Sequence, residues 1–576
     1  MTSSAHDAND GTTDRSPSTT RPQTELDRIA EAWDAEVVAL IPEHRVERGL
    51  DGDKTEHSDY SPAHFDRWRE AVAAALGRVR DAPVADDVDR VTKLELERVL
   101  GLEIDSLDAG EGYHDLNNIA SPAQGIRMTF DLMPQSSEAD HVDVAGRLAG
   151  VPQAIEGYIE TLREGIRRGT TPAVRQVREV IAQSRDYAVA DGFFTRLATS
   201  EAASTLPETL RTDLERGAVD ARAAYTRLAD FLEQELAPVA REQDAAGREQ
   251  YSLASRRFLG ATVDLDETYE WGLEELARMT AEQEAIADEI LPGASVREAI
   301  AHLDADPTRV LHSTDELREW MQAKSDAAIA GLADAHFDIP APMRTLECMI
   351  APTQEGAIYY TGPSEDFSRP GRMWWSVTPG VSEFGTWREL TTVYHEGVPG
   401  HHLQVAHATY IRDRLNSWRR NNWTSGHGEG WALYAERLME RLGYLEDPAD
   451  RLGMLDGQRM RAARVVLDLG VHLGKPVPQA GRPGPEGGRV WDYDYALDFM
   501  RDNVNMNDGF VRFEVNRYFG WPGQAPAYKI GQRVWEELRA DAEAREGESF
   551  DIKAWHTRAL DLGGVGLDTL REVLSA

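Results

Sequence analysis

Tyr394-His395-Glu396-Gly397-Val398-Pro399-Gly400-His401-His402-Leu403-Gln404 is the stretch on which the reading of this chain turns. Three imidazoles and a carboxylate fall within eight residues. In a helix, His-Glu-x-x-His puts two imidazoles one turn apart on one face, where they can share an ion. Here Pro399 occupies the second His position. On an unbroken helix His401 would point roughly 240° away from His395, and His402 would lie about 10 Å further along the axis. Zinc–nitrogen bonds of about 2.0–2.1 Å cannot bridge either arrangement. The segment can hold an ion only if the helix is interrupted at Val398-Pro399-Gly400, and Pro and Gly are the residues that interrupt helices. On that condition His395 and His401 are the metal ligands expected, with His402 as the alternative to His401.

A second stretch, His427-Gly428-Glu429-Gly430-Trp431-Ala432-Leu433-Tyr434-Ala435-Glu436, follows. After a Gly426-His427-Gly428 loop it takes helical spacing, and Glu429 is the expected third ligand. Glu436, seven residues on, is placed to orient a ligand as a hydrogen-bond acceptor. Two His and a Glu leave one position of a tetrahedral zinc site open, which is the form catalytic sites take. Glu396 would then be the general base. An oxyanion donor is also needed. Tyr528, in Pro522-Gly523-Gln524-Ala525-Pro526-Ala527-Tyr528, and His472 are the candidates. Arg464 and Arg517 are candidate forks for a peptide carboxylate. His407 and His427 read as surface polarity.

These motifs resemble domain-of-unknown-function family 885, whose members carry His-Glu-x-x-Pro-Gly-His-His-Leu-Gln. The match falls on His395, Glu396, Pro399, Gly400, His401, His402, Leu403 and Gln404. The second stretch is similar to the Asn-Glu-Gly-Phe/Trp-Ala-x-Tyr block of M1-type aminopeptidases, whose zinc-binding Glu corresponds to Glu429; the Asn of that block is Gly428 here. The resemblance implies a mostly helical fold, hydrolysis of peptides, and grouping with zinc metallopeptidases that use a glutamate ligand. It also favours Tyr528, and it leads us to expect short oligopeptide or dipeptide substrates.

Composition narrows the partners. A net charge of −38 opposes binding to nucleic acid or an anionic membrane. No apolar run reaches 18 residues, so no spanning helix is expected. The first 25 residues lack an apolar core of the kind a secretory signal needs. The cations are 56 Arg and 6 Lys, which fits either a salt-rich cytoplasm or a coding bias towards Arg. One cysteine, Cys348, rules out an internal disulfide and Cys-based zinc motifs, and fits a cytoplasmic setting. It stands in an apolar run and reads as a core residue. No signal for an oligomeric state is present.

Apolar residues at Val151, Ile155, Tyr158, Ile159, Leu162 and Ile166, and again from Tyr269 to Ile290, recur at spacings of three and four. They predict amphipathic helices. Near Phe337 the pattern changes. Ala357–Tyr360 and Met373–Val377 read as short strands, the latter a candidate edge for peptide pairing or a site of Trp packing. A helix begins around Thr386, and Pro476–Gly488 reads as a loop. We therefore expect a mainly α protein with a small β-sheet beside the metal-binding helix. The divisions are a disordered tail (1–24), a helical region (25–335) and a catalytic region (336–576) sharing one cleft. The function expected is hydrolysis of peptide bonds with one Zn2+ ion. The alternatives are a non-catalytic metal- or peptide-binding protein and a hydrolase of a non-peptide amide.

Overall fold

The break at Val398-Pro399-Gly400 is the pivot of the architecture. In the computed structural model, which describes residues 21–351, 358–378, 380–485 and 487–575, helix makes up 68% and strand 5%. The N-terminal half is built on long amphipathic helices, including α1 (Glu138–Arg168) and α2 (Glu208–Phe231), which pack together over a core of Leu148, Ile155, Tyr158, Leu214 and Tyr225. Ser137 caps α1 through a reciprocal bond with Asp140, and Gly169 ends it in the left-handed conformation at φ +74°. The expected tail lies outside the described residues up to residue 20. Arg21 to Thr24 are held, with Arg21 ion-paired to Asp27, Asp86 and Asp89 and Thr24 capping the helix Glu25–Leu40.

The largest core runs on through the C-terminal half without a gap at residue 336. It joins α3 (Leu265–Ile290) to a small sheet and to the helices that follow. The sheet has β1 (Leu346–Ile350), β2 (Ile358–Thr361) and β3 (Gly371–Trp375), in the order β1-β3-β2, with β1–β3 parallel and β2–β3 antiparallel. Ala357 of the expected first strand lies outside the described residues. The strand carrying Trp374 and Trp375 is the central one, so its edges are already paired. Of the two readings of that strand, Trp packing is the one found and the free edge is not: Trp374 stacks on Tyr359 and donates to Thr361 Oγ1 at 2.9 Å, and Trp375 is buried in the core. The edge strands are β1 and β2, and β2 is the one that lines the cleft described below. Cys348 is buried in the same core, and burial pushes its thiol up to about 12.

Six helices build the cleft side: α4 (Thr386–Glu396), α5 (His401–Tyr410), α6 (Ser425–Arg441), α7 (Pro448–His472), α8 (Asp508–Gly520) and α9 (Ala527–Glu546). α3 packs along α7, and α6 crosses α9. The α6–α9 crossing is made of glycine. A Cβ at Gly531 would come within 1.9 Å of the Gly426 carbonyl, and one at Gly430 within 2.5 Å of Gly531 backbone. This close approach sets Glu429 of α6 and Tyr528 of α9 on facing helices. No helix among the described residues is long and apolar enough to cross a membrane.

Candidate metal centre

α4 ends at Glu396, and the chain turns through Gly397–Gly400, with a cis Val398–Pro399 peptide, before α5 begins at His401. The turn closes on the last carbonyls of α4: Gly397 N–H donates to Val393 O at 2.9 Å and Gly400 N–H to Tyr394 O at 3.1 Å. At Gly400 a Cβ would lie 1.9 Å from the His395 carbonyl oxygen, so the chain can fold back this tightly only without a side chain. Trp431 of α6, fully buried, donates its Nε1–H to the Pro399 and Gly400 carbonyls at 2.9 and 3.2 Å. The fold-back brings the His395 and His401 rings to 4.8 Å between centroids.

Glu429 completes a cluster. Its Oε2 lies 3.4 Å from His395 Nε2 and 3.6 Å from His401 Nε2, and donor atoms of all three residues lie within 4.8 Å of one another. The two Glu429–imidazole spacings are close to those a zinc ion imposes: bonds of about 2.0–2.1 Å in tetrahedral geometry put neighbouring donors roughly 3.3–3.5 Å apart. Direct imidazole–carboxylate hydrogen bonds are shorter, about 2.7–3.2 Å. His395 Nδ1 donates to Glu436 Oε1 at 2.8 Å, which leaves Nε2 as the donor facing the cluster. His401 packs edge-on to His395 and against Trp423, and its Nδ1 is buried without a partner among the described residues.

The electrostatics follow from this crowding. Burial alone would lower the pKa of His395, but Glu429, Glu436 and Glu396 together push it up to about 10. Burial would raise Glu429, and the two imidazoles hold it well below the usual carboxylate range instead. Glu396, with no hydrogen bond to any described residue, is held above its ordinary value by burial, with His401 and His395 opposing. Negative charge is thus concentrated around two imidazoles, an environment that favours a divalent cation.

The cluster opens into a cleft of about 710 Å³ lined by β2, α4, α6, α7, α8 and Tyr528. The Tyr528 hydroxyl makes no hydrogen bond with a described residue, and burial raises its pKa. Arg464 and Arg517 reach the same cleft but are engaged. Arg464 donates to Tyr518 Oη and Glu514 Oε2, both at 2.7 Å, and Arg517 to Glu514 Oε1 at 3.1 Å and Gln524 Oε1 at 2.5 Å.

Two sequence candidates lie elsewhere. His402 turns towards the sheet: its Nε2–H donates to Met343 O at 2.8 Å, and its Nδ1 accepts from Tyr360 Oη–H at 2.9 Å. Both nitrogens are spent, so it is not brought to the cluster as an alternative to His401. His472 is buried on the far side of α7. It accepts from Ala246 N–H at 3.1 Å and donates to Tyr518 O at 2.8 Å, away from Glu396. The reading of His407 and His427 as surface groups is also corrected. Both are buried: His407 pairs with Asp561 at 2.7 Å, and His427 lies against Gln404 and Trp535. The expected Gly426–Gly428 loop is already the first turn of α6, made tight by Leu259, Trp423 and α9. Gly428, where the aminopeptidase block has Asn, faces the Trp423 indole, which a Cβ would approach to 2.2 Å.

Three residues of the cleft escaped the sequence reading. Arg461 precedes Arg464 by one helical turn, a spacing visible in the sequence but faint among 56 Arg. Glu389 lies on the cleft-facing side of α4, and burial pushes it up to about 7 against Arg388. Trp423, which covers His401, sits in a loop without a motif.

Fold and cluster together define a mainly helical protein with a two-histidine, one-glutamate centre built around an interrupted helix. The chain belongs to the family described as bacterial protein of unknown function (DUF885), whose profile matches residues 42–574. Among curated proteins none matches its sequence. Among solved structures it is similar to a candidate lipoprotein from Colwellia psychrerythraea, at 21% identity, TM-score 0.80, and 96% and 98% coverage of this chain and that one. It is also similar to a candidate lipoprotein of unknown function from Shewanella oneidensis, at 15% identity, TM-score 0.71, and 96% and 100% coverage. At these identities the likeness is one of fold.

Proposed function

We propose that the protein is a zinc-dependent peptidase acting on short peptides. The observation that carries this reading is the donor separation: two imidazole nitrogens at 3.4 and 3.6 Å from one carboxylate oxygen, longer than well-formed hydrogen bonds and close to the spacing of ligands of one ion. A zinc ion held by His395, His401 and Glu429 would supply Lewis-acid activation of a water and of the peptide carbonyl.

Glu396 takes the proton of the attacking water and delivers it to the leaving amine. A side-chain carboxylate can serve in both steps. Tyr528, whose hydroxyl is uncommitted among the described residues, donates to the carbonyl oxygen as negative charge develops there. Glu436 holds His395 in the tautomer that presents Nε2 to the cluster. The β2 edge, whose Ile358, Tyr359 and Tyr360 line the cleft, offers backbone groups to an extended peptide.

The test compares wild type with Glu396→Gln for bound zinc and for turnover of a panel of short peptides. Equal zinc content with turnover reduced at least 100-fold in the variant is expected. Equal turnover would remove Glu396 as the base, and zinc without turnover in wild type would favour a binding protein. The lone buried Cys348 supports a cytoplasmic setting, whereas the structural neighbours are described as candidate lipoproteins. Recovery of the protein in a membrane fraction would favour a lipid-anchored setting over a freely cytoplasmic one.

A further inference from the structure

Four guanidinium groups line the cleft, and three already have hydrogen-bond partners in the protein. Arg464 is held by Tyr518 and Glu514, and Arg517 by Glu514 and Gln524. Arg388 donates to Asn505 O at 3.1 Å, with Asp456 at 3.7 Å. Arg461 is different. It forms no hydrogen bond or ion pair with a described residue, and its Nε, like that of Arg517, is buried without an acceptor among them. A half-buried guanidinium has five donors and gives up much of its hydration, so leaving them unmatched is costly. The surroundings nevertheless make room for it. A Cβ at Gly457, one turn earlier on α7, would lie 2.7 Å from Arg461 Nη1.

Arg461 also stands close to the reacting groups. Its guanidinium carbon is 5.9 Å from the centre of the Tyr528 ring, and its charge acts on the carboxyls of Glu396 and Glu436. We infer that Arg461 binds the free C-terminal carboxylate of the peptide, so that the protein cleaves close to the C-terminal end of its substrate. The inference rests on the peptidase reading and adds the class of substrate to it. A carboxylate accepts two parallel N–H bonds from a guanidinium, and such charge-assisted pairs are strong where water is scarce. A singly charged anion also suits the cleft better than a phosphate, because Glu389, Glu396, Glu429 and Asp456 line it too. One extended residue spans only about 3.3–3.6 Å. A carboxylate on a guanidinium this close to Tyr528 therefore leaves few residues beyond the bond to be cut.

The experiment measures binding without turnover, using the full-length zinc-loaded Glu396→Gln protein and calorimetry. Three probes are titrated: the peptide Ala-Ala-Ala-Phe as free acid, the same peptide as C-terminal amide, and Ala-Ala-Ala-Glu as C-terminal amide. The free acid is expected to bind 10–100-fold more tightly than either amide. With Arg461→Met added, acid and amide should bind alike, and Arg461→Lys should restore only part of the preference. Equal binding of acid and amide to the protein that retains Arg461 overturns the proposal, and needs no further variant. So does undetectable binding of the acid at millimolar concentration, or a preference that survives Arg461→Met. An acidic side chain that binds as well as the free terminus moves the anchor from the C-terminus and overturns the assignment. Absence of turnover in wild type with the acid preference intact would count against the peptidase reading alone.

Discussion

Replacing Glu436 by Gln tests whether the cluster is organised for a cation. Glu436 is 1% exposed, and its Oε1 accepts from His395 Nδ1 at 2.8 Å while Gln458 donates to Oε2 at 3.2 Å. Burial would raise its pKa, yet the His395 hydrogen bond and the Arg461 charge hold it lowered, so it acts as a carboxylate. Gln keeps an acceptor for Nδ1–H and nearly the same shape, and removes the charge. A hydrogen bond to a charged group contributes about 1.5–3 kcal/mol and a neutral one about 0.5–1.5 kcal/mol. The difference, about 1–1.5 kcal/mol, corresponds to roughly tenfold in zinc affinity, the lower end of the roughly 10–100-fold range for such partners of metal-ligating His. Glu436→Leu, which removes the acceptor as well, should reach the upper end. The assay is competition for zinc against a chromogenic chelator at fixed pH and salt. His402→Gln serves as a control, because His402 is engaged by Met343 and Tyr360 and should leave zinc affinity within about twofold. Glu436→Gln binding zinc as tightly as wild type, or His402→Gln weakening it equally, would refute the reasoning.

Glu389 gives a pH-dependent test. Its folded pKa, about 7, lies above the ordinary carboxyl value, so wild type is favoured at low pH and loses that contribution as pH rises from about 4.5 through about 7. Glu389→Gln should therefore match wild type in denaturant stability at pH 4.5 and exceed it by about 1–2 kcal/mol at pH 8, after allowance for partial exposure. A pH-independent difference would contradict this. Gly430→Ala places a methyl 2.5–2.9 Å from the Gly531 and Gln532 backbone, which cannot yield as a flexible side chain would. It should lower unfolding stability by about 1–3 kcal/mol and weaken zinc binding with it, because Glu429 is the adjacent residue; unchanged melting would show that the helices can separate freely.

The helical character of the chain was legible because its apolar residues recur at spacings of three and four over long stretches. Such stripes have few other outcomes. The small sheet was legible from the cluster of β-branched and aromatic residues between Pro- and Gly-rich breaks, but its strand order was not. Placing Trp374 and Trp375 at the centre depends on pairing with Leu346–Ile350, a segment carrying no strand signal strong enough to be read alone. His407 and His427 were misplaced for a related reason. A lone imidazole on a helix says nothing about what covers it, and their partners Asp561 and Trp535 are more than 100 residues away. Arg461 was hidden by abundance, since it stands apart from Arg464 and Arg517 only once Glu514 and Gln524 are seen to occupy those two.

The interrupted helix shows how a departure from a familiar spacing can itself be informative. Gly397 and Gly400 permit the chain to lie on the carbonyls that end α4, and α5 then restarts with a new phase. Six residues that would set His401 on the opposite face of a regular helix instead bring its ring beside that of His395. His402, one residue later, points into the sheet because a restarted helix rotates each successive side chain by about 100°. The choice between the two imidazoles is thus made by the phase at which α5 begins. Trp431 holds that phase by bonding to the carbonyls of the break, one residue beyond the crossing glycine and two beyond Glu429. In Glu429-Gly430-Trp431 the carboxylate, the close helix contact and the anchor of the break are consecutive. A change at Gly430 or Trp431 should therefore disturb the cluster even though neither residue supplies a ligand.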